Sequence, residues 1–273
     1  MCYYNGQKVT KAEFIELKRL EKAVRNYDFL DVGVHNGFNY RPSAVLIPNE
    51  DRSDFEIVQM EWGFIGNYIP NRAEAEMFRR RYTTLNAKAE NLFLNEQGKR
   101  SMWADAPEKR RCLVLSTGII ESRHIFPLGK KGEPLKTAVK YPYQVGLKDR
   151  EYFFFPGIWN AWTDKETGEH VDTFALITTE ANALMKQIHN SKERMPTILN
   201  DDLAWEWMMT NPSKERLTEI ALTQIPSRMM EACTIGKEYR TAGEVNAFEY
   251  PELPAIDMTY MDTEELLFDH WTS

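Results

Sequence analysis

CLVLSTGIIE at residues 112–121, YQVGL at 143–147, YFFFPGIW at 152–159 and TFALIT at 173–178 are four apolar segments in succession. Each is short, rich in β-branched or aromatic residues, and bounded by Gly, Pro or charge, which is the pattern of a strand. Upstream, Ala44–Ile47 and Phe55–Ile65 carry the same signal. Helical patterns lie outside this block. Thr10 can cap a helix whose apolar residues Phe14, Leu17, Leu20 and Val24 run to about Asn26, and Arg72–Arg81 is rich in Ala, Glu and Arg. Three more helices are expected at Glu180–His189, Asp201–Met209 and Ser213–Thr223. Strands and helices therefore do not alternate as a doubly wound sheet requires. The expected fold is α+β, a mostly antiparallel, barrel-like sheet core flanked by helices.

With 273 residues, 42% hydrophobic and 12% aromatic, the chain can bury a substantial core. No repeat, low-complexity segment or interdomain linker interrupts it, so one domain over residues 1–249 is expected. The net charge of −7 is concentrated at the end. Residues 250–273 hold six acids and no Lys or Arg, and removing those six from the chain's 41 acids leaves 35 against 34 bases. The body is thus near neutral, and the tail is an acidic arm that either lies along it or is partly disordered. Basic clusters at Arg79–Arg81, Lys99 with Arg100, Lys109–Arg111 and Lys192 with Arg194 each read as a solvated face or as a binding surface. Three cysteines, Cys2, Cys112 and Cys233, form an odd set without CxxC spacing, which argues against a disulfide framework or structural zinc. The polar opening MCYYNGQKVT and the lack of an apolar run of about 18 residues point to a soluble, cytoplasmic protein with no membrane partner.

Nucleotide-binding, zinc-protease and α/β-hydrolase motifs are absent, and the five histidines show no ligand spacing, so neither a metal nor a cofactor is expected. Cys2 is a different matter. Removal of Met1 would leave an α-amine and a thiol on one residue. The amine, with a reference pKa of about 7.7–8.0, is partly neutral near pH 7 and can condense with an aldehyde; the thiol can then close the imine into a thiazolidine. The competing view is that this cysteine is incidental.

Four further strings accompany it: Asn86-Ala87-Lys88-Ala89-Glu90, Gly118-Ile119-Ile120-Glu121, Thr178-Thr179-Glu180-Ala181-Asn182, and His189 ahead of Arg194-Met195-Pro196. With Trp62-Gly63 and Gly157-Ile158-Trp159, their order resembles the SRAP family, the SOS-response-associated peptidases, over Cys2 to Pro196. The resemblance implies that Met1 is removed and that Cys2 forms a covalent thiazolidine with the ring-opened aldehyde of an abasic site in single-stranded DNA. It also implies that the peptidase label refers to processing of the protein's own N-terminus. A monomer is expected, nucleoid-associated when bound to DNA.

Site residues follow from the resemblance and from their own chemistry. Asn86 offers a donor and an acceptor to hold the N-terminal residue in register, or else it caps a helix begun by NAKAE. Glu121 ends an apolar run, where burial would raise its pKa and suit it to shuttling protons; otherwise it is an edge-strand charge. His189 titrates in the useful range and by analogy assists ring-opening and reversal, or is structural at a helix end. Trp62 is the base-stacking candidate or a core residue, and Lys88 and Arg194 are the phosphate candidates. The chain departs from the family pattern at Tyr3-Tyr4 in place of Gly-Arg, Lys88 in place of Arg, Ser122 in place of Trp and Gly66 in place of Pro. Four residues, where one is usual, separate His189 from Arg194. Two other classes compete: an N-terminal-nucleophile amidohydrolase with Cys2 attacking a small amide, and a nucleic-acid-binding module in which Cys2 has no role.

Overall fold

The computed structural model describes residues 4–6, 33–242 and 245–259. Cys2 and the helix expected over Thr10–Asn26 lie outside them. Twelve strands run in chain order among the described residues: β1 Tyr4–Gly6, β2 Val34–Asn36, β3 Pro42–Pro48, β4 Phe55–Trp62, β5 Asn86–Lys88, β6 Arg111–Ser116, β7 Gly118–Ile125, β8 Val139–Leu147, β9 Phe153–Thr163, β10 His170–Glu180, β11 Arg194–Pro196 and β12 Met230–Thr234. Five helices accompany them: α1 Arg72–Arg81, α2 Ala183–Ile188, α3 Asp201–Met209, α4 Lys214–Leu222 and α5 Tyr239–Ala242.

The apolar run at 112–121 is two strands rather than one. Gly118 donates its backbone N–H to Ser116 Oγ at 3.2 Å, and the chain leaves one sheet after β6 and enters another with β7. β6 is buried along its whole length because its two faces serve two cores. Cys112 and Val114 point into one, Leu113 and Leu115 into the other, the alternation a pleated strand imposes.

One sheet has the order β11-β10-β4-β3-β6-β9, and β9 pairs back onto β10 through seven register positions from His170↔Thr163 to Leu176↔Gly157. The expected barrel-like core is thus a ring of hydrogen-bonded strands, β10-β4-β3-β6-β9. β10 pairs in parallel with β4 and then, further along, with β5; the other pairings are antiparallel. A second, wholly antiparallel sheet has the order β12-β8-β7-β1-β2.

Helices seal the two cores. α3 is capped by Asn200, whose Oδ1 accepts from Leu203 N at 2.9 Å, and α4 by Ser213. From α3, fully buried Trp207 donates its indole N–H to the carbonyls of Cys112 and Gly157. Gly157 lets β9 lie close against β6: a Cβ there would lie 2.7 Å from Cys112 Sγ. Arg111 is also buried, and its guanidinium donates to the carbonyls of Pro107, Glu108, Trp207 and Thr210, tying the C-terminal end of α3 to the ring. Burial pulls its pKa down to about 10.

α2 is shorter than the helix expected over Glu180–His189, because Glu180 ends β10 and Asn182 caps the helix by accepting from Met185 N at 3.0 Å. The described part of the acidic tail lies along the body. Tyr250, Leu253 and Ile256 pack on the core, and Gln187 exchanges two 2.8 Å hydrogen bonds with the Asp257 backbone.

Candidate active site

Glu121 sits on β7, which is flanked by β8 and β1, so the edge-strand reading of its charge fails. Ile119, two residues earlier on the same strand face, is fully buried. Glu121 itself is 8% exposed, and its Oε1 has no hydrogen-bond partner among the described residues. Burial raises its pKa to about 8, against an opposing contribution from the Ser122 backbone N–H. At neutral pH it is a protonated acid.

His189 is the C-cap of α2 and is 5% exposed. Its Nδ1 lies 2.7 Å from the Arg194 carbonyl, which can only accept, so Nδ1 carries the proton. Nε2 is left as the acceptor, 3.7 Å from Glu121 Oε2. Burial lowers the imidazole pKa to about 4, with the Arg194 carbonyl opposing. A neutral acid therefore faces a neutral base, which is the pairing a proton relay requires.

The four residues between His189 and Arg194 do not separate them in space. Lys192 and Glu193 both donate their backbone N–H to the His189 carbonyl, and Glu193 adopts φ 51°, so the chain folds back and returns Arg194 to His189. Asn190, in the same turn, clamps β7: its Oδ1 accepts from His124 N at 2.9 Å and its Nδ2 donates to His124 O at 2.8 Å.

β10 gathers the remaining strings. Thr178 is in register with Lys88 of β5 on one side and Pro196 of β11 on the other. Asn86 is a buried strand residue opposite Leu176, so the helix-cap reading of NAKAE fails. Arg194 forms a fork with Glu90 at 2.6 and 3.0 Å and donates to the Thr178 carbonyl at 2.6 Å. Its guanidinium is committed inward, and its backbone orients His189. Lys88 is exposed and paired with Glu96 at 2.8 Å. Trp62 is a core residue, in contrast to the stacking role expected of it. It is 2% exposed, donates to Leu85 O at 2.9 Å and lies parallel to Phe174, so it offers no face to a base.

The structure thus brings Glu121 to His189 and, through β10, Lys88 to Arg194. Glu90 and Asn190 are the positioning residues that sequence reasoning missed. Glu90 lay within the quoted NAKAE string, but its partner stands 104 residues away; Asn190 carried no signal. Among the described residues no group of three His, Cys, Asp or Glu side chains is arranged to hold a metal, and no helix is long and apolar enough to cross a membrane.

Residues 1–241 match the family model described as SOS response associated peptidase (SRAP). The chain is 30% identical over 175 residues to the abasic site processing protein YoqW of Bacillus subtilis, covering 64% of this chain and 67% of that protein. It is 27% identical over 220 residues to the abasic site processing protein YobE of the same organism, covering 80% and 85%. A crystal structure of a Bacteroides thetaiotaomicron protein superposes with a TM-score of 0.71 at 26% identity, covering 93% of this chain and 98% of that one.

Proposed function

Because the chain belongs to the SRAP family, we propose that it processes abasic sites in DNA, and that it does so by covalent capture of the lesion in single-stranded DNA through Cys2. The observation that carries the proposal is the Glu121–His189 pair, in which Glu121 stands on the strand that receives the N-terminal strand. β1 pairs with β7 at Asn5↔Ile119 and Gly6↔Gly118, and two peptide units tether Cys2 within about 7 Å of Tyr4.

In this reading Met1 is removed and the Cys2 α-amine adds to the C1′ aldehyde of the ring-opened sugar, giving a carbinolamine. Glu121, as the neutral acid, protonates the departing hydroxyl, and water leaves as the imine forms. The Cys2 thiol then adds its sulfur to the imine carbon, its proton passes to nitrogen, and the five-membered thiazolidine closes with net loss of one water. His189 Nε2 takes and returns the proton that moves between amine, sugar oxygen and carboxyl. Asn86 holds the N-terminal residue in register, while Lys88 supplies a phosphate contact by exchanging its exposed partner Glu96 for the DNA backbone. Arg194 acts through Glu90 and His189 rather than on phosphate.

Intact mass before and after incubation with an abasic single-stranded oligonucleotide tests this. The expected masses are a chain lacking Met1 and then that chain plus oligonucleotide less one water. Folded protein that begins at Cys2 and yields no adduct overturns the proposal.

A further inference from the structure

Beyond Glu121, β7 runs to Ile125, and β8 returns from Val139 in register with it. The connecting segment continues the hairpin as an ordered arm. Leu128 bridges Pro134, Leu135 donates to the Pro127 carbonyl at 2.8 Å, and the tip turns through Gly129–Gly132, where Gly132 takes φ 83°. From residue 123 to 140 this arm holds five Lys or Arg (Arg123, Lys130, Lys131, Lys136, Lys140) and one acid, Glu133, in a chain of net charge −7. The four lysines are exposed and have no ion-pair partner among the described residues. Phe126, Leu128 and Leu135 stand beside them at 52%, 69% and 46% exposure.

We propose that this hairpin arm is a nucleic-acid contact that grips the phosphodiester backbone of the strand flanking the captured lesion. The proposal rests on the DNA reading of the Glu121–His189 site and gives that site a second, non-covalent hold. Two observations select this occupant. First, the arm is continuous with the site, because the Asn190 side chain next to His189 locks the His124 backbone at the arm's base. Second, the unpaired lysines stand beside exposed Phe126, so the arm presents charge and an aromatic face together, the combination single-stranded nucleic acid needs. The arm also adds unpaired cations to a site whose Arg194 is held by Glu90 and whose Lys88 must first give up Glu96.

The test is the salt dependence of binding to an abasic single-stranded oligonucleotide, for the full chain and for the triple variant K130Q/K131Q/K136Q. Each lost phosphate contact flattens the plot of log affinity against log salt by about 0.7, so three lysines flatten it by about 2, and a fourfold rise in salt costs the variant about 16-fold less affinity than wild type. Adduct formation at saturating DNA in low salt is expected to be unchanged, since none of the three touches Glu121 or His189. An unchanged slope, with adduct formation intact, overturns the arm proposal while leaving the capture reading standing. No adduct from wild type, with a slope that still depends on the lysines, overturns the capture reading and leaves the arm standing. Lysine-dependent sedimentation with phosphatidylserine–phosphatidylcholine vesicles, combined with an unchanged DNA slope, overturns the proposal in favour of a membrane surface.

Discussion

His189 Nε2 stands 3.7 Å from Glu121 Oε2, and the Arg194 carbonyl fixes the opposite edge of the same imidazole at 2.7 Å. The ring cannot rotate to offer Nδ1 to Glu121 without giving up that bond. Burial keeps both partners uncharged near neutrality, so the pair holds one transferable proton without forming an ion pair.

Adduct formation should therefore depend on pH at both ends. The active form, with Glu121 protonated and His189 neutral, is populated between about 4 and about 8. The single-turnover rate is expected to fall as pH rises through the upper value; on the acid side it falls first as the Cys2 amine, with a reference pKa of about 7.7–8.0, is protonated, and again as pH drops through the lower value. Glu121→Gln should slow the reaction by about 10²–10⁴ and abolish the upper limb. A rate in Glu121→Gln equal to wild type would remove Glu121 from the chemistry.

Stability should respond as well. Glu121 has a folded pKa raised from 4.5 to about 8, so its contribution is full below 4.5 and is lost as pH rises through 8. His189 has a folded pKa lowered from 6.5 to about 4, so its contribution is full above 6.5 and is lost as pH falls through 4. The two trends oppose between 4.5 and 6.5, which leaves Glu121 alone above 6.5. Between pH 6.5 and 8 the protein should lose about 2 kcal/mol, a loss that Glu121→Gln removes. Urea unfolding at the two pH values measures it; equal losses in wild type and variant would refute the assignment.

Arg194→Lys should separate positioning from phosphate binding. Lysine cannot reproduce the fork to Glu90 or the bond to Thr178 O, and the cost should be about 1–3 kcal/mol of stability along with a slower adduct rate. The salt slope of DNA binding should stay at the wild-type value. A shallower slope would make Arg194 a phosphate ligand after all.

Glu96→Gln should raise DNA affinity. It releases Lys88 from an exposed pair that holds the ammonium away from a phosphate, and an exposed pair contributes little to stability, so the melting temperature should hardly move. Fluorescence anisotropy with a short oligonucleotide reads the gain, and the double change with Lys88→Ala should erase it.

Much of the framework was legible where a local device fixes it. The helices at Arg72–Arg81 and Asp201–Met209 have the expected bounds because Asn71 and Asn200 cap them with their own side chains. The run 112–121 looked like a single strand because its apolar pattern continues through a turn made by the Ser116 hydroxyl. Strands β1, β2, β5 and β11 have three residues each, too few to show a period, and they exist only because distant partners bond to them. The same distance hid the inward commitment of Arg194, since charge alone does not reveal a partner in another string. Glu121 was recognisable as a misfit among apolar neighbours, but its companion His189 could be matched to it only through the family pattern.

β1 pairs with nearby β2 on one edge but owes its other edge to β7, and β7 to β8, so it reaches the strand that carries Glu121 only after the middle of the chain has been made. His189 comes later still. On the capture reading, an unfolded chain freed of Met1 carries the same amine and thiol as the folded protein, but no acid or base stands beside them, and aldehydes met at that stage react only at the unassisted rate. In that reading, reactivity belongs to the completed topology rather than to the cysteine. On the proposed capture chemistry, the long-range pairing that slows folding also acts as a safety catch, leaving the nucleophile unassisted until the site around it is complete.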